Sequence, residues 1–309
     1  MQRIKMKHIS CSVLFLLTLF CLISTDYASQ SAWHFIPSDV NTLHSKPANV
    51  RIAYGDEPFQ FADLRLPKTP GPYPVVIIIH GGCWTSAFAD LQNTSALADA
   101  LRNVGFATWN IEYRREDNMG GGWPGTFNDI GNSADFLRNI SSKYSLDLNR
   151  VIVMGHSAGG HLALWLAGRH KLPSTSPLYK KDPLVLSGVI SLGGVPDLKI
   201  FRKHGEEICN ADVVGKLLGD NEERIETRYA EVSPIDLLPI GTRQILIYGD
   251  DDQAVPFTFG ETYLQKAKRV GDSVKLMRVK YAAHHEYNVP NSVTWPVILS
   301  TIKSLFARP

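Results

Sequence analysis

From about residue 47 onward, short apolar runs alternate with stretches in which apolar positions recur at helical spacing. Residues 49–54 and 59–66 read as two opening strands, joined by a turn that holds Gly55, Asp56 and Pro58. Residues 75–79 form an unbroken β-branched run, the pattern of a strand covered on both faces. Helical spacing follows over 91–104 and ends at Gly105. The alternation then continues with a strand at 106–113, a helix at 127–144, a strand at 150–154 and a helix at 158–169. Further strands are predicted near 185–192, 244–248 and 274–281, and further helices over 260–270 and 292–306. Such alternation predicts an α/β fold: a mostly parallel central sheet flanked by helices on both faces, with the two opening strands as an antiparallel edge.

Two segments depart from this rhythm. Residues 199–239 are polar, with one short helical stretch at 211–218, and read either as a small cap over a site or as a solvated connection between strands. Residues 1–31 read as a leader. Arg3, Lys5 and Lys7 precede an apolar run over 11–23 that is too short to span a bilayer comfortably, and the small residues Ala28, Ser29 and Ser31 follow it. This order of charge, apolar core and small residues predicts a signal peptide and a secreted or periplasmic product, the alternative being an uncleaved N-terminal anchor in the membrane. Residues 32–309 then read as a single domain, with no repeats.

Composition adds little to the fold but excludes several partners. The leader's three cations against one anion, Asp26, account for the whole formal net charge of +2. The remainder is near neutral, so it carries neither a nucleic-acid footprint nor a basic surface for anionic lipid. Of four cysteines, Cys11 and Cys21 lie in the leader. Cys83 and Cys209 remain, in a compartment where a disulfide could persist, and the sequence leaves open whether they pair.

The candidate chemistry centres on Gly155-His156-Ser157-Ala158-Gly159. A G-x-S-x-G run alone is weak; here it follows a buried strand and opens a helix. That strand–turn–helix is what a nucleophile elbow requires, with Ser157 raised on a strained turn and flanking glycines letting the backbone pass. His80-Gly81-Gly82-Cys83-Trp84 directly follows the strand at 75–79. Glycines there let the backbone turn inward, so that the N–H groups of Gly82 and Cys83, with that of Ala158, can hold a developing oxyanion. His80 is expected to pin this loop rather than act as a base.

With such an elbow the chain order is nucleophile, acid, histidine. Of ten histidines only His284 and His285 lie beyond both the serine and the next acidic candidate, so the base comes from that pair. The acid should follow the strand at 244–248, where Asp250, Asp251 and Asp252 stand in succession, and chemistry alone does not choose among them.

These motifs resemble the α/β-hydrolase superfamily, and within it the small esterase branch that includes kynurenine-formamidase-like and feruloyl- or acetyl-esterase-like enzymes. The likeness runs from about residue 47 to the C-terminus. It is carried by His80-Gly81-Gly82-x-Trp84, Glu112-Tyr113-Arg114-Arg115, Gly121-Gly122-Trp123-Pro124-Gly125 and the serine motif extended through Gly160 and His161. The branch's acid pattern falls on Gly249, Asp252, Val255 and Pro256, which selects Asp252. Its histidine pattern falls on His284, Glu286, Pro290, Trp295 and Pro296, which prefers His284, while His285 stands where an aromatic is usual.

The resemblance implies an α/β-hydrolase fold and a serine hydrolase that cleaves small carboxylic esters through Ser157, Asp252 and His284 and an acyl-enzyme. It implies no metal, no organic cofactor and no partner beyond a small-molecule ester. Trp84 and Trp123 are candidate pocket residues, or packing residues alone. The Glu112–Arg115 segment either builds walls of the site through ion pairs or forms a buried structural network. The rival activity is that of an arylformamidase, whose substrate is a planar anionic aromatic acid. A non-catalytic binding protein on the same fold is disfavoured by the complete set of motifs.

Overall fold

The computed structural model describes residues 34–219 and 222–307; the leader reading of residues 1–31 lies outside the described residues. Its frame is an eight-stranded sheet: β1 (Val50–Ala53), β2 (Phe61–Arg65), β3 (Tyr73–Ile79), β4 (Ala107–Ile111), β5 (Leu146–His156), β6 (Gly188–Leu192), β7 (Gln244–Gly249) and β8 (Val274–Val279). The order across the sheet is β1-β2-β4-β3-β5-β6-β7-β8. β1 and β2 form the antiparallel edge, β2 pairing with β4 through Ala62↔Ile111, and the pairs from β4 to β8 are parallel.

The β-branched run in β3 shows why the alternation reads as it does. Val75, Ile77 and Ile79 pack into one apolar cluster, with Phe127, Leu137, Leu162 and Trp165 from helices Gly125–Tyr144 and Ala158–Gly168. Val76 and Ile78, pointing to the opposite face, pack with Leu97, Leu101 and Ile302 from helices Ser95–Asn103 and Trp295–Phe306. A strand sandwiched in this way has no solvent face, so the usual polar alternation disappears.

The segment predicted to hold a single short helix is more helical than its polarity suggests. It carries helices Leu198–Cys209, Val213–Leu218 and Ile225–Val232. The first is amphipathic, burying Leu198, Phe201, Gly205 and Cys209 on one stripe. It is capped by Asp197, whose side chain accepts the N–H groups of Lys199 and Ile200. That cap-plus-stripe signal is present in the sequence but is masked by the density of Lys, Arg and Glu. Among the described residues no helix is long and apolar enough to cross a membrane.

Candidate active site

The carboxyl ends of β3, β5 and β7 converge, and each leads directly into one of the motif-bearing loops. At the end of β5, Ser157 takes φ 55° and ψ −120°, a region an L-residue occupies only at a cost of order 1–3 kcal/mol. Its N–H donates to Leu192 O on β6 at 2.9 Å, which fixes the turn to the sheet. The glycine after it is needed for close approach. A Cβ on Gly159 would stand 2.1 Å from Ile79 O and 2.5 Å from His80 O. The first turn of helix Ala158–Gly168 therefore rests directly on the end of β3, beside the second loop.

In that loop three successive residues lie at positive φ: Gly82 at 101°, Cys83 at 52° and Trp84 at 56°. Two of the three are not glycine, so the conformation is imposed by what surrounds it. The N–H groups of Gly82, Cys83 and Ala158 donate to no protein acceptor among the described residues, and all three residues line one cavity. Backbone N–H groups without a partner, on residues that line one cavity, are the kind of donors an oxyanion site needs.

Buried polar groups hold the loop from behind. His80 points one ring nitrogen at Gly81 O (2.8 Å) and the other at Glu112 Oε1 (3.1 Å), as expected of a residue that pins rather than reacts. Tyr113 donates from its hydroxyl to His80 O (3.0 Å) and stacks on the imidazole. Glu112 also accepts from Arg115 Nη1 (2.7 Å) and from the N–H groups of Leu91 and Tyr113 (both 3.0 Å). Of the two readings of the Glu112–Arg115 segment, this is the buried network. Trp84 is fully buried, and its indole N–H donates to His161 Nδ1 (3.2 Å) while His161 donates to Val232 O (2.9 Å). Burial pushes the His161 imidazole down to about 4, so it stays neutral and its Nδ1 is free to accept.

Glu112 carries a stability prediction. Burial alone would raise its carboxyl, but the charge and hydrogen bond of His80, then Arg115 and the Leu91 N–H, hold it down at about 2 against an ordinary 4.5. A carboxyl lowered on folding stabilises the fold fully above its unfolded value and loses that contribution as pH falls through the folded one; here it amounts to about 3 kcal/mol, lost between about pH 4.5 and 2. Glu112→Gln should therefore lower the urea midpoint at pH 7, and its deficit against the wild type should shrink toward pH 2. A deficit independent of pH would sink this account.

The third loop follows β7. Asp252 is buried, and its Oδ1 accepts the N–H groups of Ala254 (3.0 Å) and Val255 (2.9 Å). His284 Nδ1 donates to Asp252 Oδ2 at 2.9 Å, and Tyr287 adds its hydroxyl to the same oxygen at 3.1 Å. Asp250 instead pairs with Arg278, and Asp251 stands 3.7 Å from His34 on the surface. Of the three aspartates only Asp252 faces a candidate base. Of the two histidines only His284 faces an acid: His285 Nδ1 is buried without a partner, and burial, then the nearby charge of His284, pushes that imidazole down to about 4.

Some residues that position this loop carry no motif signal. His156, one residue before the serine, donates from Nε2 to the backbone O of His284 (2.7 Å) and accepts at Nδ1 from Asn288 (3.0 Å). Burial, then the charges of His284 and His285, holds it well below its ordinary value, consistent with a neutral ring. Asn288 also donates to Asn93 Oδ1 (2.7 Å). His156 was visible only as the variable residue of the serine motif; Asn93, Tyr287 and Asn288 had no spacing to mark them.

Ser157, His284, Gly82, Cys83 and Ala158 open on one cavity of about 220 Å³. Val195, Phe201 and Val255 give it an apolar interior, and among the described residues no Lys, Arg, Asp or Glu lines it. Trp84 contributes to the wall. Trp123 is not among the lining residues: the Arg228 guanidinium lies 4.2 Å over its ring, and its backbone N–H donates to Leu217 O at 2.7 Å, so of its two readings the geometry favours packing, here against the segment 199–239. Among the described residues no group of His, Cys, Asp and Glu could hold a metal ion. Cys83 and Cys209, left open by the sequence, are joined in a disulfide across the cavity wall.

Residues 62–266 match the BD-FAE family. The chain belongs to the BD-FAE family. Its fold, a mostly parallel sheet flanked by helices, is the α/β-hydrolase fold. Curated relatives of this BD-FAE member include a probable isoprenylcysteine alpha-carbonyl methylesterase of Oryza sativa subsp. japonica, 27% identical over 247 residues, which cover 75% of this chain and 57% of that protein. Esterase LipC of Mycobacterium tuberculosis is 26% identical over 232 residues, 72% of this chain and 56% of that protein. The chain thus spans just over half the length of these relatives. Among solved structures, a truncated carbohydrate esterase from gut microbiota superposes with TM-score 0.69 at 19% identity, covering 85% of this chain and 99% of the other. Esterase B from Lactobacillus rhamnosis gives TM-score 0.69 at 20% identity, covering 86% and 90%.

Proposed function

We propose that this BD-FAE member hydrolyses small, uncharged carboxylic esters by two-step acyl transfer. The observation that carries the reading is His284, hydrogen-bonded to the buried Asp252, on the same small apolar cavity as the strained Ser157 and three backbone N–H groups that have no partner among the described residues. Because His284 Nδ1 is committed to Asp252, Nε2 is the nitrogen left to take the Ser157 proton as the oxygen attacks the ester carbonyl. The N–H groups of Gly82, Cys83 and Ala158 receive the charge that develops on the carbonyl oxygen. His284 then returns the proton to the departing alcohol. Water, deprotonated by the same nitrogen, cleaves the acyl-serine and regenerates the free hydroxyl.

Hydrolysis of p-nitrophenyl esters from acetate to octanoate, run beside N-formylkynurenine, tests this. Turnover should be highest for the shortest chains, because a cavity of about 220 Å³ lies below the usual range for drug-sized ligands. The formamide carries a carboxylate, and among the described residues no Lys or Arg lines the cavity to meet it. Preferred turnover of the formamide would overturn the ester assignment and favour the arylformamidase.

Export belongs to the same proposal. It is supported by the charge-then-apolar order of the leader and by the Cys83–Cys209 bond, since disulfides persist chiefly in oxidising compartments. Recovery of the expressed chain from the cytosol alone would count against it.

A further inference from the structure

Helix Leu198–Cys209 is attached to both halves of the site at once. At its C-terminal end Cys209 is bonded to Cys83, whose N–H belongs to the proposed oxyanion site. On the same stripe Phe201 packs edge-on against Trp84, the next residue of that loop, with ring centroids 5.9 Å apart. From the middle of the helix, His204 Nε2 donates to the backbone O of Ala254 at 3.0 Å, and the Ala254 N–H in turn donates to Asp252. The helix also supplies cavity wall: Phe201 and Cys209 are buried against the interior, while Ile208, 38% exposed, stands at the rim.

A helix that only covered a pocket would need none of these ties to the reacting groups. The left-handed backbone at Cys83 and Trp84 has to be held by its surroundings: the Cys83 side chain is bonded to this helix, and Trp84 is held between Phe201 of this helix and His161 of helix Ala158–Gly168. We propose that the Cys83–Cys209 bridge makes helix Leu198–Cys209 a fixed wall that sets the length of chain the cavity accepts, and that through this bridge Cys209 acts as a positioning residue for the oxyanion loop. The inference rests on the serine-esterase reading of the same site.

Two consequences separate this from a merely structural disulfide. Loosening the wall should admit longer chains. Loosening the anchor of Cys83 should lower kcat on the shortest ester, since the N–H that meets the oxyanion is then less well aimed.

The test compares full-length wild type with Cys209→Ser, Ile208→Ala and Ile208→Trp. Two readouts are the ratio of kcat/KM for octanoate to that for acetate, and the rate at which alkyl phosphonates of graded length label Ser157. Ile208→Ala removes three carbons from the cavity rim, so the ratio should rise about tenfold; Ile208→Trp should lower it. Cys209→Ser should raise the ratio and also lower kcat on acetate. Ile208 is partly exposed, so its variants keep the test decisive if Cys209→Ser does not fold. Lower thermal stability in Cys209→Ser with ratio and labelling profile unchanged in all three variants overturns the proposal. A wild type that cleaves no ester, but whose phosphonate profile shifts as described, supports the wall while sinking the ester assignment.

Discussion

Replacing Ser157 by alanine should lower kcat on the best p-nitrophenyl ester by about 10⁶-fold, leaving KM and the unfolding midpoint nearly unchanged. The size follows from Ser157's proposed role as the nucleophile, whose loss ends acyl transfer altogether. The fold should survive because the main link from residue 157 to the sheet is its N–H bond to Leu192 O, which alanine retains. The left-handed conformation at this position is imposed by the strand–turn–helix and is shared by any L-residue there. Stopped-flow hydrolysis with a parallel urea titration checks both halves. Esterase activity within tenfold of wild type would remove Ser157 from the mechanism.

Asp252→Asn should cost about 10⁴-fold in kcat with little loss of stability. The remaining carbonyl oxygen can still accept the N–H groups of Ala254 and Val255, so the loop after β7 keeps its turn. The amide now facing His284, however, is a donor. It forces Nδ1 to become an acceptor, which puts the proton on Nε2, where the imidazole can no longer take one from Ser157. The same experiment discriminates between the adjacent histidines. His285 makes no hydrogen bond to Asp252, so a base at that position would be nearly indifferent to the substitution. A loss below tenfold in Asp252→Asn, with a large loss in His285→Phe, would reverse the assignment.

Glu112→Gln is the complementary case. It stands behind the oxyanion loop without lining the cavity, so its effect should register first in acid stability and only secondarily in rate. The three variants thus report on three separate layers: the reacting atom, the group that orients the base, and the buried ion pairs beneath the loop.

How legible each part was depended on whether its signal was local. The β-branched run of β3, the Gly-His-Ser-Ala-Gly turn after β5 and the double glycine after β3 were readable because strand burial and tight turns restrict residue type over a few neighbours. The choice of Asp252 among three aspartates and of His284 over His285 came from resemblance, not chemistry. Here the structure supplies a physical ground: two N–H donors, a tyrosine hydroxyl and His284 all converge on Asp252. Helix Leu198–Cys209 was underestimated because its apolar stripe is diluted by Lys199, Arg202, Lys203, Glu206 and Glu207. The sequence left Trp123 open between a pocket and a packing role, because residue type does not say where a ring is delivered; in the structure it stacks under the Arg228 guanidinium.

By itself, the sequence determined the layer architecture, the position of the serine at a strand–helix turn, and the chain order that confined the base to two adjacent histidines. The first two follow from periodicity and steric rules that act over neighbouring residues; the third is what the resemblance to α/β-hydrolases implies, and the base it confines is a proposed one. Only the tertiary structure decided which aspartate and histidine meet, that Cys83 and Cys209 are bonded across 126 residues, and that His156, Asn288 and Asn93 hold the loop that carries His284. Those contacts join β3, β5 and β7 to loops far away in the chain. Their energies depend on distances that crossover connections set, and no local pattern of residues encodes such distances.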